Sequence, residues 1–225
     1  MARVLVIPDL QAPFQHKNAL KFLIKVYRMY QCDTVICIGD EVDFKFLKYA
    51  NSNDPHSPMG QHYMALAFLH QLYKAFPVVK CCHSNHVIER LNYASNLGSI
   101  PKYFIKDLSE IMEAPKGWEW GDYFVIDGVR YEHGHHIKGG QRSTIVAVQQ
   151  RHQSVVFGHH PLLEVRFTPV NGKQLFGFCV SALTVDPSDK DRGYGMEYAL
   201  KYGREMPKGC GVVIDGIYAF PLPMV

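Results

Sequence analysis

The sequence predicts an α/β fold, a four-layer sandwich of two mixed β-sheets packed together with helices outside, and three observations lead there. In the first half, short apolar runs alternate with a helical pattern, which gives β-α-β units and parallel pairing. In the second half, Asp127-Gly128, Asn171-Gly172 and Asp215-Gly216 sit between strand-like runs, and these dipeptides suit tight hairpins. Finally, five short polar islands each follow an apolar run, so they gather at one edge of a sheet, where open α/β folds bind ligands.

The elements follow in order. Val4 to Ile7 is the first strand, and the helix after it spans His16 to Gln31, because Ala19, Phe22, Leu23, Val26 and Tyr30 recur at helical spacing. Thr34 to Ile38 is the second strand. Asn51 to Gly60, rich in Asn, Ser, Asp and Pro, reads as a surface loop before a helix from about Met59 to Phe76. Val78 to Cys82 is a third strand. From Glu89 to Trp120 no clean strand pattern appears, so a helical segment on the substrate side is expected. Val129 to Glu132 and Ser154 to Phe157 are further strands, separated by a helix from Gly140 to Arg151, with antiparallel pairing expected to dominate late in the chain. Pro187 to Pro207, full of Gly, Lys, Arg, Asp and Tyr, is expected to be a long loop over the site.

Bulk properties narrow the class. A chain of 225 residues without a linker, repeat or low-complexity tract reads as one domain, residues 1–225. A net charge of +3 is too small to argue for sequence-independent nucleic-acid binding, though a nucleic-acid substrate stays open. The six cysteines form no Cys-x-x-Cys pair, and three lie in apolar strand runs, which fits a reducing compartment. The chain enters its first strand directly after Met1-Ala2-Arg3, and no apolar stretch is long enough to span a bilayer. A cytoplasmic protein with no membrane partner is therefore expected.

The islands are Asp9-Leu10-Gln11, Gly39-Asp40-Glu41-Val42-Asp43, Ser84-Asn85-His86, His133-Gly134-His135 and Gly158-His159-His160. Asp9, Asp40, Asn85, His133 and His159 supply the carboxylate, amide and imidazole donors that hard or borderline divalent cations choose. Two such ions about 3.5–4 Å apart and bridged by a carboxylate activate water for attack on phosphorus and neutralise the phosphoryl oxygens.

In this order the islands resemble the motifs Asp-x-His, Gly-Asp-x-x-Asp, Gly-Asn-His, His and Gly-His-x-His of the calcineurin-like metallophosphoesterases. The likeness runs from about Arg3 to His160. Gln in the first motif, Ser-Asn-His in the third, Tyr-Glu-His-Gly in the fourth and a closing Gly-Cys-Gly-Val-Val-Ile-Asp-Gly run are similar to the small members encoded by tailed bacteriophages, extending the likeness to Gly209 through Gly216. The resemblance implies Asp40 as bridging ligand, Asp9 on the first metal, and Asn85, His133 and His159 on the second. It implies His86 as proton donor to the leaving group, oriented by Asp43. Divalent metal is implied as cofactor, with Mn2+ the expected activator.

The departures fall on the first metal. Gln11 stands where the family has His, and Pro161 where Gly-His-x-His ends. Gln11 can coordinate through its amide oxygen, and His160, His135 or His136 are the imidazoles near enough in sequence to substitute. One ion held tightly and one loosely is the expectation.

Other residues have plainer readings. His16, His56, His62, His70 and His152 are expected as solvated or core histidines. His83 sits near the third island at a strand end. Trp118 and Trp120 can stack on a base, but packing is their expected role. Of the basic residues Arg90, Lys138 and Arg142, Arg90 is favoured to meet a substrate phosphate because it lies on the segment leaving His86. No Gly-x-Ser-x-Gly elbow exists, and Cys81 and Cys82 end a buried run, which leaves little for a Ser- or Cys-based hydrolase. The expectation is a metal-dependent hydrolase of a nucleotide, cyclic-nucleotide or nucleic-acid phosphoester. The alternative is a phospho-ligand binding protein retaining one metal. Monoesterase against diesterase, and the oligomeric state, stay open.

Overall fold

The computed structural model describes residues 1–47, 57–98, 106–189, 193 and 207–225. Most of the loop expected at Asn51 to Gly60 and of the one expected at Pro187 to Pro207 lies outside these residues, as does the middle of the 89–120 segment.

Two mixed sheets form. The first has strand order β11-β10-β1-β2-β3-β4, with β1 Arg3–Ile7, β2 Thr34–Cys37, β3 Val79–Cys82, β4 Trp118–Gly121, β10 Gly209–Ile214 and β11 Tyr218–Pro223. Strands β1 to β4 pair in parallel, and the terminal hairpin adds β10 antiparallel to β1. The second has order β5-β6-β7-β9-β8, with β5 Tyr123–Ile126, β6 Val129–Glu132, β7 Ser154–Phe157, β8 Leu163–Val170 and β9 Lys173–Val180. Its central strand β7 pairs in parallel with both β6 and β9, so the late strands are less uniformly antiparallel than the hairpin dipeptides suggest. Those dipeptides do make turns: Asp127 and Asn171 take φ of 48° and 49°, and the glycines after them φ of 76°, as tight hairpins require.

Alternation along each strand builds the layers. From the first sheet, Leu5, Ile7, Val35, Cys37, Val79, Cys81 and Val212 face outward into a core shared with α1 (Ala19–Met29) and α2 (Pro58–Ala75). Their neighbours Val4, Val6, Ile36, Ile38 and Val213 face inward onto Val129, Tyr131, Val156, Phe176, Phe178 and Val180 of the second sheet. On the far side, Val155, Phe157 and Cys179 pack under Ala147 of α5 (Ser143–Arg151). The order helix, sheet, sheet, helix is the expected four layers. Every apolar run buried on both faces reads as continuous hydrophobicity for this reason.

Element ends differ from expectation for local reasons. Helix α1 begins at Ala19 rather than His16, whose backbone N–H is held by the Leu183 carbonyl at 2.7 Å, and it is closed by Gln31 at φ 50°. The 89–120 segment contains α3 (Arg90–Leu97) and α4 (Leu108–Ile111), but it ends in strand β4, which the sequence pattern does not announce. Two tryptophans flanking a glutamate hide the strand, because both indoles turn to packing: Trp118 Nε1 donates to the Phe76 carbonyl and Trp120 Nε1 to Glu41 Oε1. No helix among the described residues is long and apolar enough to cross a membrane.

Phe178 is fully buried between the sheets. Phe178→Ala should destabilise the fold by about 3–5 kcal/mol, the transfer and cavity cost of an aromatic truncation. Urea unfolding tests this, and a loss under about 1 kcal/mol would mean the inter-sheet space collapses around the gap.

Candidate metal centre

All five islands leave carboxyl ends of strands in the two sheets, and backbone hydrogen bonds join four of them in two pairs. The loop after β1 is pinned to the loop after β2: the Asp40 carbonyl accepts from Leu10 N–H at 3.0 Å and Gln11 N–H at 2.7 Å, and Ala12 exchanges hydrogen bonds with Glu41 and Asp43. Across the molecule, Gly158 N–H donates to the His133 carbonyl at 3.0 Å, joining the ends of β7 and β6. Asn85 and His86 open a π-helical turn, Asn85–Glu89, that leads from β3 into α3. Such turns recur at functional sites because they re-aim side chains within a helix.

The backbone here is unusual. Gln11, Asp40 and His159 take φ of 48°, 48° and 63°, a left-handed region that costs non-glycine residues on the order of 1 kcal/mol or more. Two glycines make room. Gly39 takes φ 99°, and a Cβ on it would meet the Cys82 carbonyl at 2.7 Å. A Cβ on Gly158 would lie 2.5 Å from Asp9 Oδ1, so only glycine leaves that carboxylate in place.

The side chains converge. His133 Nδ1 lies 3.1 Å from the Ile38 carbonyl oxygen, which can only accept, so the proton belongs on Nδ1 and Nε2 presents its lone pair. That lone pair faces Asn85 Oδ1 at 2.9 Å and Asp40 Oδ1 at 3.5 Å. Turning the Asn85 amide over would let it donate to Nε2, but the Asp40 oxygen would still face the lone pair. Asp40, His133 and His159 place one ligating atom each within 4.8 Å of one another. On the other side of Asp40, Asp9 is 4% exposed; its Oδ2 accepts from His159 N–H at 3.1 Å, while Oδ1 is buried without a hydrogen-bond partner. Gln11 is buried beside it.

Burial and neighbouring charges shift the titration of these side chains. Burial pushes the Asp9 carboxyl well above the carboxylate range, and Asp40 beside it adds to the rise. Burial also opposes the charge of Asp40, yet the His133 and His86 imidazoles draw its pKa below the usual range. Burial pushes His133 down to about 4, so it is a neutral ligand at neutral pH. Two carboxylates this close ionise together only with positive charge between them. A divalent cation supplies that charge, and the donor set of carboxylates, amide and neutral imidazoles fits one.

The remaining candidate residues fall into place around this core. His86 Nδ1 lies 3.3 Å from Asp43 Oδ1 and 3.8 Å from Asp40 Oδ2, and its backbone N–H donates to Asp40 Oδ1 at 3.3 Å. Arg90 is buried and its guanidinium pairs with Asp43. His83 turns to Asp122 at 2.9 Å, and Lys138 and Arg142 are exposed. Of the imidazoles offered as substitutes on the first metal, His160 places Nε2 2.9 Å from the Ile137 carbonyl and packs edge-on against Phe157, and His135 reaches toward Glu89 at 3.5 Å. Glu41 is the residue that motif reading passes over. It is 1% exposed, burial raises its pKa, and with Cys37 and Cys81 it forms a buried polar group under the Asp40 loop. Its only sequence signal is its place between Asp40 and Val42.

No protein-family model matches the chain, and no curated protein is significantly similar to it. Among solved structures, Vacuolar Protein Sorting 29 from Cryptosporidium parvum aligns over 98% of both chains at 15% identity, with a TM-score of 0.43. YfcE, a phosphoesterase from E. coli, aligns over 98% of this chain and 99% of its own at 9% identity and a TM-score of 0.45. Pseudomonas putida nuclease MPE aligns over 97% and 86% at 12% identity and a TM-score of 0.38. At such values the site's own geometry carries the chemistry.

Two outcomes are expected here. Gly158→Ala should displace Asp9 and lower bound metal while the protein stays folded, as elemental analysis beside circular dichroism would read. The second concerns acid. The folded pKa of His133, about 4, lies below its ordinary 6.5, so between these values the unfolded chain takes up a proton that the folded chain refuses. Stability of the metal-stripped protein should therefore fall as pH drops from about 6.5 to about 4. Asp9, with its raised pKa, works in the opposite sense. The Tm should decline more steeply in the wild type than in His133→Gln, and parallel slopes would remove His133 as a buried neutral imidazole.

Proposed function

We propose that this protein is a divalent-metal-dependent phosphoester hydrolase acting on a nucleotide, cyclic-nucleotide or nucleic-acid phosphoester. The observation that carries the reading is the convergence of His133 Nε2, Asn85 Oδ1 and Asp40 Oδ1 on one point beside the unpartnered Asp9 Oδ1. Buried lone pairs so placed repel one another unless a cation holds them.

Asp40 would be shared by two positions, with Asp9 and Gln11 completing one and Asn85, His133 and His159 the other. A divalent ion held by these residues would supply Lewis acidity, making water a better nucleophile and screening phosphoryl charge. The chain's own groups do the rest. His86, with Nδ1 toward Asp43, keeps Nε2 to hand a proton to the leaving oxygen. Asp43 fixes that ring orientation. Arg90, expected from sequence to meet substrate phosphate, commits its guanidinium to Asp43, so its proposed part is to hold the orienting carboxylate. A nucleic-acid setting is favoured by the sequence resemblance to phage-encoded members, and Mn2+ is the proposed activator.

The second reading, a phospho-ligand binding protein, is favoured by the lack, among the described residues, of an imidazole at the Asp9 position. His86 and Asp43 argue against it, since a pure binder has no use for a poised proton donor.

Hydrolysis of bis(p-nitrophenyl) phosphate with Mn2+ separates the two. His86→Ala should keep its metal and lose about 100-fold or more of turnover, the range of a missing general acid. Asn85→Ala and His133→Ala should instead lower metal content itself. Turnover unchanged in His86→Ala would remove the proton donor, and none in the wild type would favour the binder.

A further inference from the structure

Three buried polar side chains form a group apart from the centre at the strand ends. Cys37 on β2 and Cys81 on β3 sit opposite each other in the parallel ladder, and Glu41 turns back beneath the Asp40 loop to join them. The two sulfurs and a Glu41 carboxylate oxygen lie within 4.8 Å of one another, and all three residues are buried. Their face of the sheet is the outer one: Cys37 and Cys81 belong to the core shared with α1 and α2, whereas Ile36, Ile38 and Cys82 face the second sheet.

A carboxylate and two thiols in an apolar layer are costly unless they are paired. Trp120 Nε1 donates to Glu41 Oε1 at 3.0 Å, which orients the carboxylate. The sulfurs fare less well with the backbone. Cys37 Sγ comes only within 3.9 Å of the Gly39 carbonyl and Cys81 Sγ within 4.0 Å of the Cys82 carbonyl. Cys81 is instead within hydrogen-bonding reach of both the Cys37 sulfur and the Glu41 carboxylate, so the three donor groups converge on one another.

The geometry points to a separate, sulfur-bearing metal site: a Zn2+ ion held by the thiolates of Cys37 and Cys81 and the carboxylate of Glu41. Thiolates select zinc, copper(I) or iron–sulfur clusters; two cysteines are too few for a cluster, and the hard carboxylate oxygen decides for zinc over copper(I). Zinc binds sulfur at about 2.3 Å and carboxylate oxygen at about 2.0–2.2 Å, so small side-chain rotations close a triangle of this size on it, with water in the fourth tetrahedral position. The two thiol protons leave to solvent as the ion binds, and its charge offsets most of that of the three anionic ligands. The Trp120 indole is the outer hydrogen-bond partner that ligating carboxylates commonly have. Such an ion ties β2, β3 and the residue after Asp40 together as a structural brace. The inference goes beyond the phosphoester reading and does not depend on it.

Because the three residues are buried, metal has to enter as the sheet closes, so the test uses protein produced in minimal medium with Co2+ in place of zinc. Thiolate bound to Co2+ gives a sulfur-to-cobalt charge-transfer band in the near ultraviolet, which oxygen and nitrogen ligands do not. The wild type should show this band. Cys37→Ser and Cys81→Ser should lose it, with circular dichroism to check the fold. Cys32→Ser and His133→Ala should keep it, since Cys32 lies beyond the opposite end of β2 and the donors at the strand ends carry no sulfur. A folded wild type without the band, a band surviving in either of the first two variants, or its loss in His133→Ala would each overturn the inference. The first of these needs no variant, so a cysteine substitution that unfolds the protein does not shield it.

Discussion

One hydrogen bond organises this molecule's site: the His133 imidazole, from the end of β6, donates to the Ile38 carbonyl at the end of β2. It spans the two sheets, so it exists only when the inter-sheet core of Val4, Val6, Ile36, Tyr131, Val156 and Phe178 has set their spacing. It also fixes the imidazole tautomer and turns a lone pair toward Asp40 and Asn85. A packing distance thereby becomes a chemical state. Hydrophobic burial between the sheets and the protonation pattern of the centre are the same constraint seen at two levels.

That arrangement works against the stability of the loops that carry it. Three of the donor-bearing positions, Gln11, Asp40 and His159, adopt left-handed backbone, and two carboxylates share a buried space. The offset is local and backbone-made: the loops after β1 and β2 are cross-linked through the Asp40, Glu41 and Ala12 carbonyls, and Leu183 N–H caps the Asp9 carbonyl at 2.8 Å. Beneath them Glu41, held by the Trp120 indole, fills the space under the loop with a polar group rather than an apolar one. Edge strand β4 thereby reaches the floor of the centre through the Trp120 side chain.

The charge pattern is graded across the cleft. His133 and His86 draw the Asp40 carboxyl down, burial and the neighbouring Asp40 push the Asp9 carboxyl up, and Asp43 is flanked by His86 and Arg90. Three aspartates from two loops thus have three environments, and their different proposed roles follow from what each carboxylate faces.

The residues themselves announced most of the elements and the candidate donors. Apolar runs of four or five residues gave β1, β2, β3, β6 and β7, helical spacing gave α1 and α2, and Asp-Gly and Asn-Gly gave the turns at 127 and 171, because these signals are local. The candidate ligands were legible because each follows a strand that must end at the same edge. Tertiary structure alone decided that Trp118 to Gly121 is a strand, since its pairing partner β3 lies more than thirty residues away. It alone paired Arg90 with Asp43, seated Glu41 under Trp120 and turned His160 to the Ile137 carbonyl rather than toward Asp9. Those outcomes depend on which side chains meet across elements, and spacing along one chain carries no record of that.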